Sequence, residues 1–225
     1  MNRPLAAIFD IGATLVTGPP VAPNKVIAKL IDGASAADVA SIIMTTELSC
    51  ADGVCRAIES RYGVLTDTAR GGISQLWKSQ SSAAEEIDGA VQAVLKLKNR
   101  GLKIGLLSDI WAPYYDSVVK ALPQVIDVAD SIVLSCRTGA RKPDLTNFTR
   151  VLDELGIEAA QAVMIGDTYT HDIKPALDLG MQAIWVLARP DRESESIIEI
   201  LNQDNPAPTA TVSHIAEVPA LGLWG

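Results

Sequence analysis

The chain has 225 residues, 48% of them apolar and 20% charged, with 19 basic against 27 acidic side chains and a formal net charge of −8. That length suits one large domain or a domain with an insertion, and the apolar share is enough for a sizeable core. The acidic balance argues against a nucleic-acid backbone or an anionic membrane as partner, since both need a basic face; a small anion needs only a local positive pocket.

The first apolar run, Ala6-Ala7-Ile8-Phe9, reads as a strand. It is too short for a signal peptide and stops at Asp10, which opens Asp10-Ile11-Gly12-Ala13-Thr14-Leu15. Between Gly18-Pro19-Pro20 and Ser81-Ser82 no strand pattern stands out. Val26, Ile27, Leu30 and Ile31 suggest a helix, and Val39, Ile42, Ile43 and Thr46 a second. Val54, Ala57, Ile58 and Tyr62 suggest a third, stopped by Gly63; Ile73, Leu76 and Trp77 suggest a fourth. The Pro/Gly-rich and Ser-rich ends suit hinges. Residues 18–82 are therefore expected to be a helical insertion, and 1–17 with 83–225 the core.

From about Asp88 the pattern alternates. Val91, Val94, Leu95 and Lys98 share a helical face that Gly101 ends, and Lys103–Leu107 follows as a strand. Tyr114, Val118 and Leu122 have helical spacing up to Pro123, and Ser131–Leu134 is the next strand. Pro143 is expected at a helix start, followed by the stripe Leu145, Phe148, Val151, Leu152 and Leu155, which Gly156 ends. Ala162–Ile165 is a strand, Ile173, Ala176 and Leu177 a short helix ended by Gly180, and Ala183–Leu187 another strand. Asn205–Pro208 reads as a turn, and Thr211–Ile215 as an edge strand. This rhythm indicates a parallel sheet covered by helices on both faces.

The three cysteines, Cys50, Cys55 and Cys136, are odd in number and include no Cys-x-x-Cys pair. Reduced, mostly buried thiols in a cytoplasmic, soluble protein are the expectation. No stretch approaches the roughly 20 apolar residues of a membrane span.

The polar residues that end the strands carry the chemistry. One run stops at Asp10, another at Ser108-Asp109; a third leads by a loop to Arg141-Lys142-Pro143-Asp144, and a fourth stops at Gly166-Asp167-Thr168-Tyr169-Thr170-His171-Asp172. In an open parallel sheet, ligands bind beyond the carboxyl ends of the strands, so these clusters converge. Carboxylates, a hydroxyl and a lysine together suit a metal ion and a phosphate. Taken singly, each has a blander reading: Asp10 as a loop cap, Asp167 and Asp172 as helix caps, Lys142 as a surface cation.

In order and context these motifs resemble those of the haloacid dehalogenase superfamily, in the subgroup with a helical cap inserted after the first core strand. The resemblance covers nearly the whole chain. It implies an α/β fold, a Rossmann-like three-layer core around a parallel sheet with an inserted α-helical cap domain. It also implies that Asp10 is the nucleophile, Ser108 the phosphate-binding hydroxyl and Lys142 the cation that neutralises nucleophile and phosphate. Mg²⁺ would be held by Asp10, the backbone carbonyl of Gly12 and Asp167, with Asp172 acting mainly through water. Backbone N–H groups near Ile11 and Asp109 would join Ser108 and Lys142 on the phosphoryl oxygens. Gly12 is the departure, because family phosphatases usually place there an aspartate that protonates the leaving group and activates water. That help is worth roughly 10²–10⁴-fold. Substitutes are Asp109, His171 and Glu47, each with a plainer reading as a loop, helix-start or solvated side chain; His214 is expected on the surface. Trp111 is placed either to touch substrate or to pack.

The leading expectation is a Mg²⁺-dependent phosphohydrolase acting on a small phosphorylated metabolite through an aspartyl-phosphate. One alternative is a protein that binds a phospho-ligand and turns it over poorly because of Gly12. Another is carbon–halogen hydrolysis, which needs no leaving-group acid but has no use for the Asp167–Asp172 acidic motif. Carbon–phosphorus cleavage would require a lysine from the insertion, and nothing marks Lys25, Lys29 or Lys78. Substrate identity and oligomeric state are open at this level.

Overall fold

The computed structural model describes residues 3–224. The run Ala6–Phe9 forms β1, and all its side chains are fully buried, as befits a strand covered on both faces. Along the chain follow β2 (Val16–Thr17), β3 (Glu85–Glu86), β4 (Lys103–Ser108), β5 (Ser131–Leu134), β6 (Ala162–Gly166), β7 (Gln182–Val186) and β8 (Ala210–Val212). The helices are α1 (Pro23–Ala28), α2 (Ala36–Met44), α3 (Ala51–Tyr62), α4 (Asp67–Gln80), α5 (Ala90–Asn99), α6 (Ala112–Ala121), α7 (Pro123–Val128), α8 (Ser135–Thr138), α9 (Leu145–Leu155), α10 (Lys174–Asp178) and α11 (Ser194–Leu201).

The main sheet is parallel, in the order β5-β4-β1-β6-β7-β8, so β1 is central. Side-chain alternation divides the core. Ala7 and Phe9 point into a cluster with α5, α6 and the C-terminal segment, whereas Ala6 and Ile8 point into one with α9, Tyr169 and Trp185. This is the expected three-layer α/β architecture.

Register positions the polar residues. Phe9 pairs with Leu106 on one side and Ile165 on the other. Asp10, Ser108 and Asp167 therefore emerge at one edge within about a residue of each other.

Helices α1 to α4 lie between β2 and β3 and share an apolar cluster of their own, including Ile27, Val39, Ile43, Val54, Ile58 and Ile73. The chain leaves and re-enters the core through a short antiparallel pair, Val16 opposite Glu86 and Thr17 opposite Glu85. Both crossings rest on α6. The Tyr114 hydroxyl donates to the Thr17 carbonyl at 2.8 Å, and the Ala84 N–H donates to Ser117 Oγ at 2.7 Å. Lys120 Nζ reaches the Ser81 carbonyl at 3.0 Å, and Trp111 Nε1 reaches Gln80 Oε1 at 3.1 Å.

Details differ from the sequence reading. Pro143 does not begin a helix; α9 starts at Leu145 and is capped by Asp144, whose carboxylate accepts from the Thr146 N–H at 2.8 Å. Leu145, counted in the α9 stripe, is 40% exposed, while Phe148, Val151, Leu152 and Leu155 are buried. The edge strand stops at Val212, because Ile215 turns inward to begin a 3₁₀ turn, and His214 is half-buried with Nδ1 accepting from the Ala216 N–H at 3.3 Å. Among the described residues, no helix is long and apolar enough to cross a membrane.

Candidate active site

The loop after β1 doubles back at once. Asp10 N–H donates to the Ile165 carbonyl at 2.9 Å, holding Asp10 at the sheet edge. Ala13 takes a positive φ of 58°, and its N–H bonds the Val16 carbonyl at 2.7 Å. A non-glycine residue in this region usually marks a constrained loop. The turn brings Thr14 back, with its hydroxyl 3.4 Å from Asp10 Oδ2. The Ile11 side chain is buried in the core, so only its backbone is available to a ligand. Gly12 lies in an ordinary region of φ, and a Cβ built there meets nothing within 4 Å.

Lys142 is the centre of the site. Its ammonium donates to Asp10 Oδ1 at 2.6 Å, to Asp172 Oδ1 at 2.5 Å and to the Leu107 carbonyl at 3.3 Å. An ammonium has three donors, so all are used. Burial works to lower the Lys142 pKa, but Asp10 and Asp172 outweigh it and hold the group above the ordinary lysine value. Burial lifts the Asp10 carboxyl to about 6 against the pull of Lys142. It also raises Asp172, again against Lys142. Asp109 positions the lysine's loop: it accepts from Lys142 N–H at 3.0 Å and from Arg141 Nε at 3.3 Å.

The turn after β6 carries the other acids. Asp172 Oδ2 accepts from Thr168 N–H at 3.0 Å. Gly166 is required here, since a Cβ on it would lie 2.5 Å from Asp172 Cβ and Cγ. The Asp167 carbonyl accepts from Trp185 Nε1 at 2.9 Å, and its carboxylate Oδ2 is paired with the Arg189 guanidinium. Burial raises the Asp167 pKa, and the nearby Asp10 charge adds to the rise.

Asp10, Asp167 and Asp172 each offer an oxygen, and these oxygens lie within 4.8 Å of one another. Such a set of hard anionic donors fits a divalent cation. The charge also fits, because three carboxylates face only the Lys142 and Arg189 cations. Ser108 is buried at the same edge, and its hydroxyl has no hydrogen-bond partner among the described residues.

Each of the proposed acid–base substitutes has a contact elsewhere. Asp109 is committed to the Lys142 loop, Glu47 pairs with Arg137 at 3.3 Å on the surface, and His171 is exposed beside Thr170 at 3.1 Å. Trp111 packs into the apolar cluster of the helical insertion, edge-on to Trp77 with ring centroids 5.7 Å apart. Tyr114 lies near Asp10, but its phenol is pushed up to about 12, by burial and then by Asp10's charge. It stays protonated, with its proton on the Thr17 carbonyl.

A cavity of about 530 Å³ opens between the insertion and the core. Ala13 and Asp109 form part of its floor, and Arg189 and Arg192 lie on its wall. Sequence reading missed both arginines. They follow β7, so the rule that located the other clusters, polar residues at the carboxyl end of a strand, points to them as well.

The fold and this edge of carboxylates and lysine define a class of hydrolase, and comparison with known proteins gives the family. Residues 62–186 match the family model of haloacid dehalogenase-like hydrolases, and the chain belongs to that family. It is 28% identical to a phosphoglycolate phosphatase of Rhodospirillum rubrum over 80% of this chain and 78% of that one. It is 28% identical to a glyceraldehyde 3-phosphate phosphatase of Methanocaldococcus jannaschii over 47% of this chain and 46% of the relative, so the match spans about half of that relative's length. Among solved structures, a family enzyme from Bacteroides thetaiotaomicron in complex with magnesium and inorganic phosphate superposes with a TM-score of 0.61 at 19% identity, over 80% of this chain and 92% of that one. The L-2-haloacid dehalogenase of Xanthobacter autotrophicus superposes with a TM-score of 0.59 at 14% identity, over 97% and 98%. At these identities the structures speak for the fold alone.

Proposed function

We propose that the protein is a Mg²⁺-dependent phosphohydrolase acting on a small phosphorylated metabolite, with Asp10 as nucleophile. The observation that carries this reading is the buried Lys142 ammonium joining Asp10 to Asp172, with Asp167 beside them. Asp10, the Gly12 carbonyl, Asp167 and Asp172 would hold the ion, Asp172 through water. When bound, Mg²⁺ would mask phosphoryl charge as a Lewis acid.

The chain's own residues then have distinct tasks. Asp10 Oδ1 is held by Lys142, while Oδ2 has only the distant Thr14 hydroxyl, so Oδ2 is the oxygen free to attack phosphorus. The Asp10–phosphorus bond forms as the bond to the leaving oxygen breaks. Ser108 and the backbone N–H groups of Ile11, Gly12 and Asp109 hold the phosphoryl oxygens, and Lys142 joins them by exchanging its long 3.3 Å bond to the Leu107 carbonyl for a phosphoryl oxygen, so catalysis is mainly positioning and charge stabilisation. The leaving oxygen takes its proton from water, because Gly12 has no side chain to supply one. Water then attacks phosphorus, releasing phosphate and restoring the Asp10 carboxylate. Residues 18–82 act as a cap that shields this chemistry from bulk solvent.

The phosphatase relatives support this reading. The three free cysteines fit a cytoplasmic setting, and the net charge of −8 fits a protein without a nucleic-acid or membrane partner. A second reading, carbon–halogen hydrolysis, draws on Gly12 and the dehalogenase fold match. It leaves Asp167 and Asp172 without a task.

The test is phosphate release from phenyl phosphate with and without Mg²⁺, beside halide release from a 2-haloacid. The proposal expects Mg²⁺-dependent phosphate release that Asp10→Asn lowers at least a hundredfold, in line with loss of a covalent nucleophile. Halide release without phosphate release would favour the second reading. Binding of phosphate without turnover of either compound would leave a phospho-ligand-binding protein.

A further inference from the structure

The cavity over the site has apolar walls and one charged corner. Pro19, Pro20, Met44, Ile110, Trp111 and Tyr114 supply much of the apolar surface. Opposite them, the loop after β7 carries Arg189 and Arg192 at the two ends of a tight 3₁₀ turn, closed by the Arg192 N–H on the Arg189 carbonyl at 3.0 Å. Both arginines line the cavity.

Their duties differ. Arg189 is paired with Asp167 at the inner end. Arg192 has no ion-pair partner among the described residues. The neighbouring acids do not serve it: Glu193 accepts from the Tyr169 N–H at 2.9 Å, Asp109 is held by Arg141, and Asp191 does not line the cavity. An exposed, unpaired guanidinium at the rim of a cavity lined mostly by apolar side chains fits an anion presented by whatever fills that cavity.

We propose that Arg192 forms a second anion subsite, so that the preferred substrate is a phosphate monoester whose leaving group has an apolar body and a remote anionic substituent, a carboxylate or a second phosphate. The apolar walls take the body, Arg192 takes the remote anion, and Lys142 faces the phosphoryl group to be transferred. This rests on the phosphatase reading of the site. It adds what that reading lacks, a reason for two arginines at the end of β7.

Calorimetric titration in the presence of Mg²⁺ tests it with three unreactive mimics: phenylphosphonate, 4-carboxyphenylphosphonate and 1,4-benzenediphosphonate. The wild type should bind at least one of the doubly anionic compounds roughly five- to tenfold more tightly than phenylphosphonate, the scale of one charge-assisted contact. The compound with the larger ratio identifies the anion. Arg192→Gln should bring the ratios within about twofold of one, since a partly exposed contact is all that it removes. A wild-type ratio near one would overturn the subsite, as would a ratio that Arg192→Gln leaves intact, or no binding of any of the three. Phenyl phosphate turnover, followed in parallel, reports on the phosphatase reading by itself: a preserved ratio without turnover would support the subsite while rejecting catalysis.

Discussion

At the scale of single residues, Gly12 carries the sharpest prediction of the proposed mechanism. Its φ lies outside the left-handed region and a Cβ there meets nothing within 4 Å, so the backbone accepts the first atom of a side chain in Gly12→Asp. A site without a leaving-group acid discriminates by leaving group, so aryl and acyl phosphates should react far faster than sugar or alkyl phosphates. Gly12→Asp should raise the turnover of alkyl phosphates by roughly tenfold or more, the lower part of the range for acid–base help. Steady-state rates on a series of esters check this; a wild type that already hydrolyses alkyl phosphates as fast as aryl ones would contradict it. The residues at this scale were unevenly legible in the sequence. Asp10, Lys142, Asp167 and Asp172 could be found because each follows an apolar run, and the sheet's register then brings them together. Arg189 also follows an apolar run, but its pairing with Asp167, 22 residues earlier in the chain, could not be read from any local pattern.

At the scale of elements, α6 explains how the helical insertion is seated. Trp111, Tyr114, Ser117 and Lys120 recur every third residue and reach both crossings between insertion and core. Hinges at Gly18-Pro19-Pro20 and Ser81-Ser82 are what the sequence suggests; the bonds to Thr17 and Ala84 lie on the core side of them, whereas swinging would break the Trp111–Gln80 bond and strain that of Lys120 to Ser81, each worth about 1 kcal/mol. Removing Trp111 from the insertion's apolar cluster would cost about 3 kcal/mol or more. The insertion is therefore expected to stay seated through the cycle. X-ray scattering profiles with and without BeF₃⁻ and Mg²⁺ should superimpose, with binding confirmed separately; a marked compaction would contradict the clamp and favour the hinge. The four helices of the insertion were visible in the spacing of apolar residues, because each has a buried face. The pair β2 and β3 was not, since strands of two residues are too short to show alternation. Helix α11 escaped notice too: Ile198 and Leu201 are 56% and 75% exposed, so its apolar residues do not trace one buried stripe.

At the scale of the whole molecule, the acidic chain brings three of its 19 basic side chains to the proposed site. Lys142, Arg189 and Arg192 all lie at the carboxyl edge of the sheet, although the net charge is −8. The same edge gathers three carboxylates whose mutual repulsion Lys142 and Arg189 offset only in part. Mg²⁺ should accordingly raise the melting temperature of the wild type by mass action on the folded state. Asp167→Asn removes one ligand while leaving Lys142 in its ion pairs, so it should weaken Mg²⁺ binding roughly tenfold or more with little change in fold. Calorimetric titration of both proteins checks this, and equal affinity would remove Asp167 from the metal site.

The central claim is that Asp10 itself takes the phosphoryl group. Because Gly12 supplies no base for the second step, the phosphorylated form should accumulate, which makes it accessible to direct observation. The decisive measurement is rapid acid quench of the protein during turnover of an aryl phosphate with Mg²⁺, followed by peptide mass spectrometry. The expected result is the mass of one phosphoryl group on the peptide containing Asp10, lost in Asp10→Asn and diminished in Gly12→Asp. Rapid phosphate release with no such adduct, or an adduct on another residue, would contradict it.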